Sequence, residues 1–289
     1  MNATLAPTLP PWLDKTAYPF TPRAIDTPEG SLSYLDEGRG PAVLLVHGTP
    51  SWSFEFRDVV TRLRATHRCV APDHLGFGLS DKHTRALRVA DHARRLRELV
   101  TRLDLRDLTL VVHDFGGPIG LPVALDLPER VARVVVLNTW MWSNADDPAV
   151  ARLDRVIRSP LGRVMYRWLN ASPRLLMPSL FGDRAKLTGA VHAQYLGPFR
   201  ARADREGTYA MALELAGANA HNEALWARRA RLAEKPLDIV WGSRDPAFTA
   251  RHLARWREAF SHATVTELDG VGHFVAEEAP EDLARVIAR

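Results

Sequence analysis

Cysteine is nearly absent from this 289-residue chain: Cys69 is the only one. No internal disulfide can form, and no Cys/His spacing of the kind that holds a metal exists, so no metal site is expected. Cys69 sits in the apolar run HRCVAPD and reads as a small core residue. Lysine is scarce too, at Lys15, Lys82, Lys186 and Lys235, so the net charge of +4 and the sequence pI of about 9.5 come mostly from arginine. The arginines interleave with acids, as in DHARRLREL, and form no basic block, so no nucleic-acid partner is expected. No apolar run is long enough to span a bilayer, and no membrane partner is expected. The opening MNATLAPTLPPWLDK has neither the basic region nor the apolar core of a signal peptide, which leaves cytoplasmic as the default location. No glycine loop carries a dinucleotide or phosphate signature, so no cofactor is implied. No internal repeat or low-complexity tract stands out.

What is present is alternation. RAIDTPEGSLSYLDEG reads as a hairpin turning at Glu29-Gly30. AVLLVHG, CVAPD, LTLVVHD and RVVVLN follow as apolar strands, separated by helical patterns over residues 52–63, 85–103 and 117–127. Near-continuous apolar strands alternating with helices predict an α/β fold, a mostly parallel sheet flanked by helices on both faces. Over residues 139–233 amphipathic helical patterns replace the strands, broken by aromatics and prolines. Alternation then resumes with PLDIVWG, a helix over 249–260, ATVTEL and a last helix from about residue 280. Residues 1–138 and 234–289 are therefore read as one core, and 139–233 as a helical cap inserted after the sixth strand. Such an insertion lies over the carboxyl ends of the strands, where open α/β sheets bind ligands.

Four loops follow predicted strands: HGTP at 47–50, HDFGG with Asp114, WGSRDPAF with Asp245, and DGVGHF with His273. Each has an ordinary reading alone. An aspartate opening a helix is an N-cap, and an aspartate before proline is a turn residue. A histidine in a glycine loop is usually just a loop residue. Together they run in the order nucleophile, acid, histidine, which is the chain order of α/β-hydrolases, and they predict a catalytic site. Asp114 stands where esterases and lipases carry serine.

These segments resemble one family in detail. HGTPSWSFEFR, PDHLGFGLSDK, VVHDFGGPIG, NTWMW, WGSRDPAF and GVGHFVAEEAP match the pattern of the haloalkane dehalogenases, which are α/β-hydrolases, from about residue 18 to the end. YPFTPR and SYLDEG also resemble bacterial β-lactone decarboxylases. Some dehalogenases place the acid as Glu after the sixth strand; here that position is Asn138, and the acid role falls to Asp245 after the seventh.

The chemistry expected is attack by the Asp114 carboxylate on an sp3 carbon, giving an alkyl ester on the enzyme. His273 would then deprotonate a water that attacks the Asp114 carbonyl, with Asp245 orienting the ring. Backbone N–H groups of Thr49 and Phe115 would hold the oxyanion. In the resembled family a tryptophan beside the nucleophile gives the departing halide one N–H, and an asparagine in the first loop or a tryptophan in the insertion gives a second. This chain has Phe115 and Thr49 at the first two positions. The Thr49 hydroxyl, Trp140, Trp142 and Asn138 are the candidates to replace the missing donors. Trp168, Tyr166, Tyr195 and Phe199 are read as insertion core, although two tyrosines over the nucleophile would point to epoxide opening. His113, His47 and His74 are read as loop supports. The expected partner is a small apolar electrophile; nothing sets the oligomeric state. The rival readings are an epoxide hydrolase, a β-lactone-processing enzyme of the same fold, and a non-catalytic ligand-binding α/β-hydrolase.

Overall fold

The computed structural model of the chain describes residues 4–5, 9–82 and 86–289; the helix start expected at residue 85 and residues 1–3 and 6–8 of the N-terminal stretch lie outside them. Nine strands form one sheet: β1 (Thr4–Leu5), β2 (Arg23–Thr27), β3 (Gly30–Glu37), β4 (Ala42–Val46), β5 (Arg68–Pro72), β6 (Leu108–Asp114), β7 (Val131–Thr139), β8 (Leu237–Gly242) and β9 (Thr264–Leu268). The order is β1-β2-β3-β5-β4-β6-β7-β8-β9. Pairing is antiparallel from β1 to β5 and parallel across the other five neighbours. The two-residue β1 is not among the expected strands, so the expected sixth and seventh strands are β7 and β8. The hairpin turn is Pro28-Glu29, with Thr27 opposite Gly30, one residue earlier than expected.

The parallel strands are buried on both faces, which is why they read as unbroken apolar runs. Leu44, Val46, Leu110, Val112, Val134 and Val136 point into one core. Their alternating neighbours Val43, Leu45, Val111, Val135, Leu137 and Val240 point into the other. The connections from β4 run to β5 on one side and the chain returns to β6 on the other, so β4 and β6 flank the point where strand order reverses. Crevices at such points, above the carboxyl ends, are where these sheets bind ligands.

No strand occurs among residues 140–236; helices at Pro148–Arg158, Pro160–Arg167, Gly189–Leu196, Glu206–Gly217 and Asn219–Ala227 are the longest elements of that stretch. One of the hydrogen bonds that tie it to the core answers a defect in the helix Gly116–Asp126. Pro122 has no N–H to give to the Pro118 carbonyl one turn earlier. His221 Nε2 donates to that carbonyl instead, at 2.9 Å.

Candidate active site

Asp114 ends β6 with φ +49°, a left-handed conformation that a non-glycine residue adopts at a cost. Its surroundings are stripped to allow it. A Cβ at Gly48 would collide with the Asp114 carboxylate, and one at Gly116 with the Val46 carbonyl. Thr139 Oγ1 donates to the Asp114 carbonyl. Asp114 Oδ2 accepts from the Thr49 N–H at 2.8 Å, and the Phe115 N–H also bonds the carboxylate. Burial raises the Asp114 pKa above the ordinary carboxylate range, against the pull of His273, His113 and the two N–H groups. A carboxylate of raised basicity is a better nucleophile once ionised.

His273 follows β9. Its Nδ1 donates to Asp245 Oδ2 at 2.8 Å, and both side chains are buried. Burial opposes a charge on the ring, but Asp245 first and Asp114 after it prevail, lifting His273 to about 9. Asp245 follows β8. Burial disfavours its charge too, yet His273 and the N–H groups of Phe248 (3.1 Å) and Ala247 (2.7 Å) hold it below its ordinary range. Phe248 stacks on the His273 ring, with centroids 5.6 Å apart. The predicted carboxylate, acid and histidine thus meet at the carboxyl ends of β6, β8 and β9.

A family model for the α/β hydrolase fold matches residues 41–280. The chain belongs to the α/β-hydrolase family. It is 37% identical over 281 residues to haloalkane dehalogenase 2 of Mycobacterium tuberculosis, covering 95% of this chain and 96% of that one. It is 34% identical to a cis-3-alkyl-4-alkyloxetan-2-one decarboxylase of Shewanella oneidensis, covering 93% and 87%. The crystal structure of a haloalkane dehalogenase from Bradyrhizobium elkani superposes with a TM-score of 0.83 at 26% identity, covering 93% and 96%. The chain is thus an enzyme, a haloalkane dehalogenase-like hydrolase.

In this hydrolase the candidate leaving-group residues separate. Thr49 and Phe115 line a cavity of about 130 Å³ beneath Ile157, Tyr166 and Met177 of the inserted segment. Thr49 Oγ1 and Trp140 Nε1 are both buried without a hydrogen-bond partner. Trp140 packs edge-on against Phe115 at 4.8 Å and stacks on Phe248 at 5.4 Å, so it stays near the residue that follows Asp114.

Two expectations are corrected. Asn138 is not free to face the cavity as expected, because both ends of its amide are bonded to Asp245 and Gly242. Its Nδ2 donates to Asp245 Oδ2 at 2.8 Å, and its Oδ1 accepts the Gly242 N–H at 2.8 Å. The cause is a register shift: His113 pairs Leu137 but Asp114 pairs Thr139, so Asn138 bulges out with φ +23° and aims sideways at β8. Trp142 is also elsewhere. It packs on Trp226, Trp256 and His252 under the Arg255 guanidinium. There it lines a surface hollow of about 740 Å³ that none of Asp114, Asp245 and His273 lines.

The loop histidines have forced roles. His47 accepts the His74 N–H at Nε2 and so gives its Nδ1 proton to the Gly48 carbonyl. His113 Nε2 donates to the His273 carbonyl at 2.8 Å, while its Nδ1 faces the buried Glu55 at 3.2 Å. Glu55 was not foreseen, and nothing in its local sequence marks it. Tyr195 gives its hydroxyl to Glu277, so among the described tyrosines only Tyr166 lines the cavity. No group of three or more metal-ligating side chains occurs among the described residues.

Proposed function

We propose that this enzyme hydrolyses small apolar electrophiles through an ester on Asp114, with Asp245 and His273 as acid and base and residues 139–233 as the cap over the pocket. The observation that carries this reading is the pairing of a carboxylate, held on two backbone N–H groups, with a buried His–Asp couple beside an apolar cavity. The Asp114 carboxylate attacks an sp3 carbon and the leaving group departs with the bonding pair. Alkylation removes the charge of Asp114, and with it one of the influences that raise His273. The ring then releases its proton to solvent and, now neutral, takes one from the attacking water, which it later returns to the departing alcohol oxygen. That water attacks the Asp114 carbonyl, and the developing oxyanion falls between the Thr49 and Phe115 N–H groups, each worth about 3 kcal/mol in such a site. Collapse frees the alcohol and restores the carboxylate.

For a halide, Thr49 Oγ1 and Trp140 Nε1 are the donors in reserve: both are buried, unpartnered and close to Phe115. A β-lactone is the second reading, favoured by Phe115, which offers an anion only its weakly positive edge. There the leaving group is the substrate's own carboxylate, still tethered, and ring strain drives its departure. Epoxide opening is disfavoured, since a lone Tyr166 faces the cavity. The test is intact mass of His273→Ala after separate incubation with 1-bromobutane, styrene oxide and a β-lactone, beside an Asp114→Ala, His273→Ala control. A butyl adduct absent from the control supports halide expulsion. An adduct only from lactone or epoxide removes the dehalogenase reading, and no adduct from any of them contradicts the covalent mechanism.

A further inference from the structure

The inserted segment carries an exposed apolar face, on which the Arg202 guanidinium lies over the Trp168 ring at 3.9 Å. Leu161 is 63% exposed, Trp168 59% and Leu175 59%. Single exposed leucines are ordinary, but a contiguous group marks a contact surface. Leu161, Val164 and Trp168 recur at intervals of three and four and share one face of the helix Pro160–Arg167 and its end. That helix abuts Pro148–Arg158 where Gly162 meets the Val156 and Ile157 carbonyls, and Val156 is itself 49% exposed. Leu153 and Leu176 are 46% and 41% exposed and also line the cavity beside Thr49 and Phe115. The cavity therefore reaches the surface inside this apolar face.

The same stretch is strongly basic. Between residues 148 and 180 six arginines stand against one acid, Asp154, which pairs with Arg158. Six minus one is +5, more than the +4 of the whole chain. Arg152, Arg155, Arg163 and Arg174 are exposed and join no ion pair among the described residues. Short helices with a leucine–tryptophan face fringed by arginine suit the interface of an anionic bilayer. A second copy suits it poorly, because a twofold contact would set the same arginines against each other. Lying on a surface needs no spanning helix, and no helix among the described residues is long and apolar enough to cross a membrane.

We propose that this face docks the enzyme on an anionic lipid surface, so that apolar substrates dissolved in the acyl layer enter the cavity directly. The entry step rests on reading the cavity as the substrate pocket; the docking does not. The test is co-sedimentation of the intact chain with vesicles of phosphatidylcholine alone or with added phosphatidylglycerol, for the native protein and Leu161→Asp, Leu175→Asp. Neither substituted residue lines the cavity. Each arginine near an anionic surface strengthens binding about fivefold, so the anionic vesicles should bind at least about tenfold tighter, and less so in high salt. The double variant should lose at least about tenfold while turning over a water-soluble electrophile at the native rate. Absence of binding, equal binding to both vesicles, or an unaffected double variant would overturn the proposal. So would a dimer that the double variant dissociates, without vesicle binding. A protein that binds vesicles as expected but alkylates on no electrophile would contradict the hydrolase reading alone.

Discussion

Thr49→Val separates the work of the Thr49 hydroxyl from that of its backbone. Valine keeps the N–H that bonds Asp114 Oδ2 and the branched shape that lines the cavity. It removes only Oγ1, which is buried and unpartnered. A buried hydroxyl without a partner costs about 1–3 kcal/mol, so its loss should stabilise the fold by a similar amount. For a domain of this size that is a rise of about 2–6 °C in Tm. If the hydroxyl receives the departing anion, its removal costs about 1.5–3 kcal/mol in the alkylation step. That is a slowing of about 10- to 150-fold. Bromide release in single turnover with 1-bromobutane, measured beside a thermal melt, reads both. The expected signature is a more stable, slower enzyme. A raised Tm with an unchanged rate would refute the donor role and leave Trp140 as the candidate. A lowered Tm would refute the premise that the hydroxyl is unpartnered.

Other substitutions test the neighbours. Gly48→Ala drives a methyl into the Asp114 carboxylate and should cut alkylation by at least about 100-fold, read by intact mass of the His273→Ala background. Asn138→Ala leaves the Gly242 N–H without its acceptor and removes a donor from Asp245, and should cost about 2–4 kcal/mol in urea denaturation. His273 binds its proton more tightly folded, at about 9, than unfolded, at about 6.5. Its contribution to stability is therefore complete below about pH 6.5 and lost as pH rises through about 9. Asp245, lowered by folding, contributes above about pH 4 and less as pH falls through its folded value. The Tm advantage of the native enzyme over His273→Gln should accordingly shrink on the alkaline side, and a constant gap from about pH 6 to 10 would contradict the assignment.

The parallel strands were legible because burial on both faces leaves unbroken runs such as AVLLV, and Asp114, Asp245 and His273 because each ends a strand or lies in the loop after one, in a fixed order. Other features depend on contacts that no local pattern encodes. β1 is two residues long and shows no periodicity. The place of Asn138 hangs on a one-residue register shift between β6 and β7. Trp142 and Trp140 are two residues apart with the same chemistry, yet the chain turns between them, one toward Phe115 and the other toward Trp226. Tyr195 is removed from the pocket by Glu277, which lies in the last part of the chain.

In the proposed reaction water attacks the Asp114 carbonyl and not the substrate carbon. A single turnover in heavy-oxygen water, with enzyme in excess over an electrophile that alkylates it, tests this directly. The peptide containing Asp114 should gain the heavy oxygen while the first alcohol released carries the ordinary oxygen of the aspartate. Heavy oxygen in that alcohol, with none in the peptide, would mean direct displacement by water and would contradict an ester on Asp114.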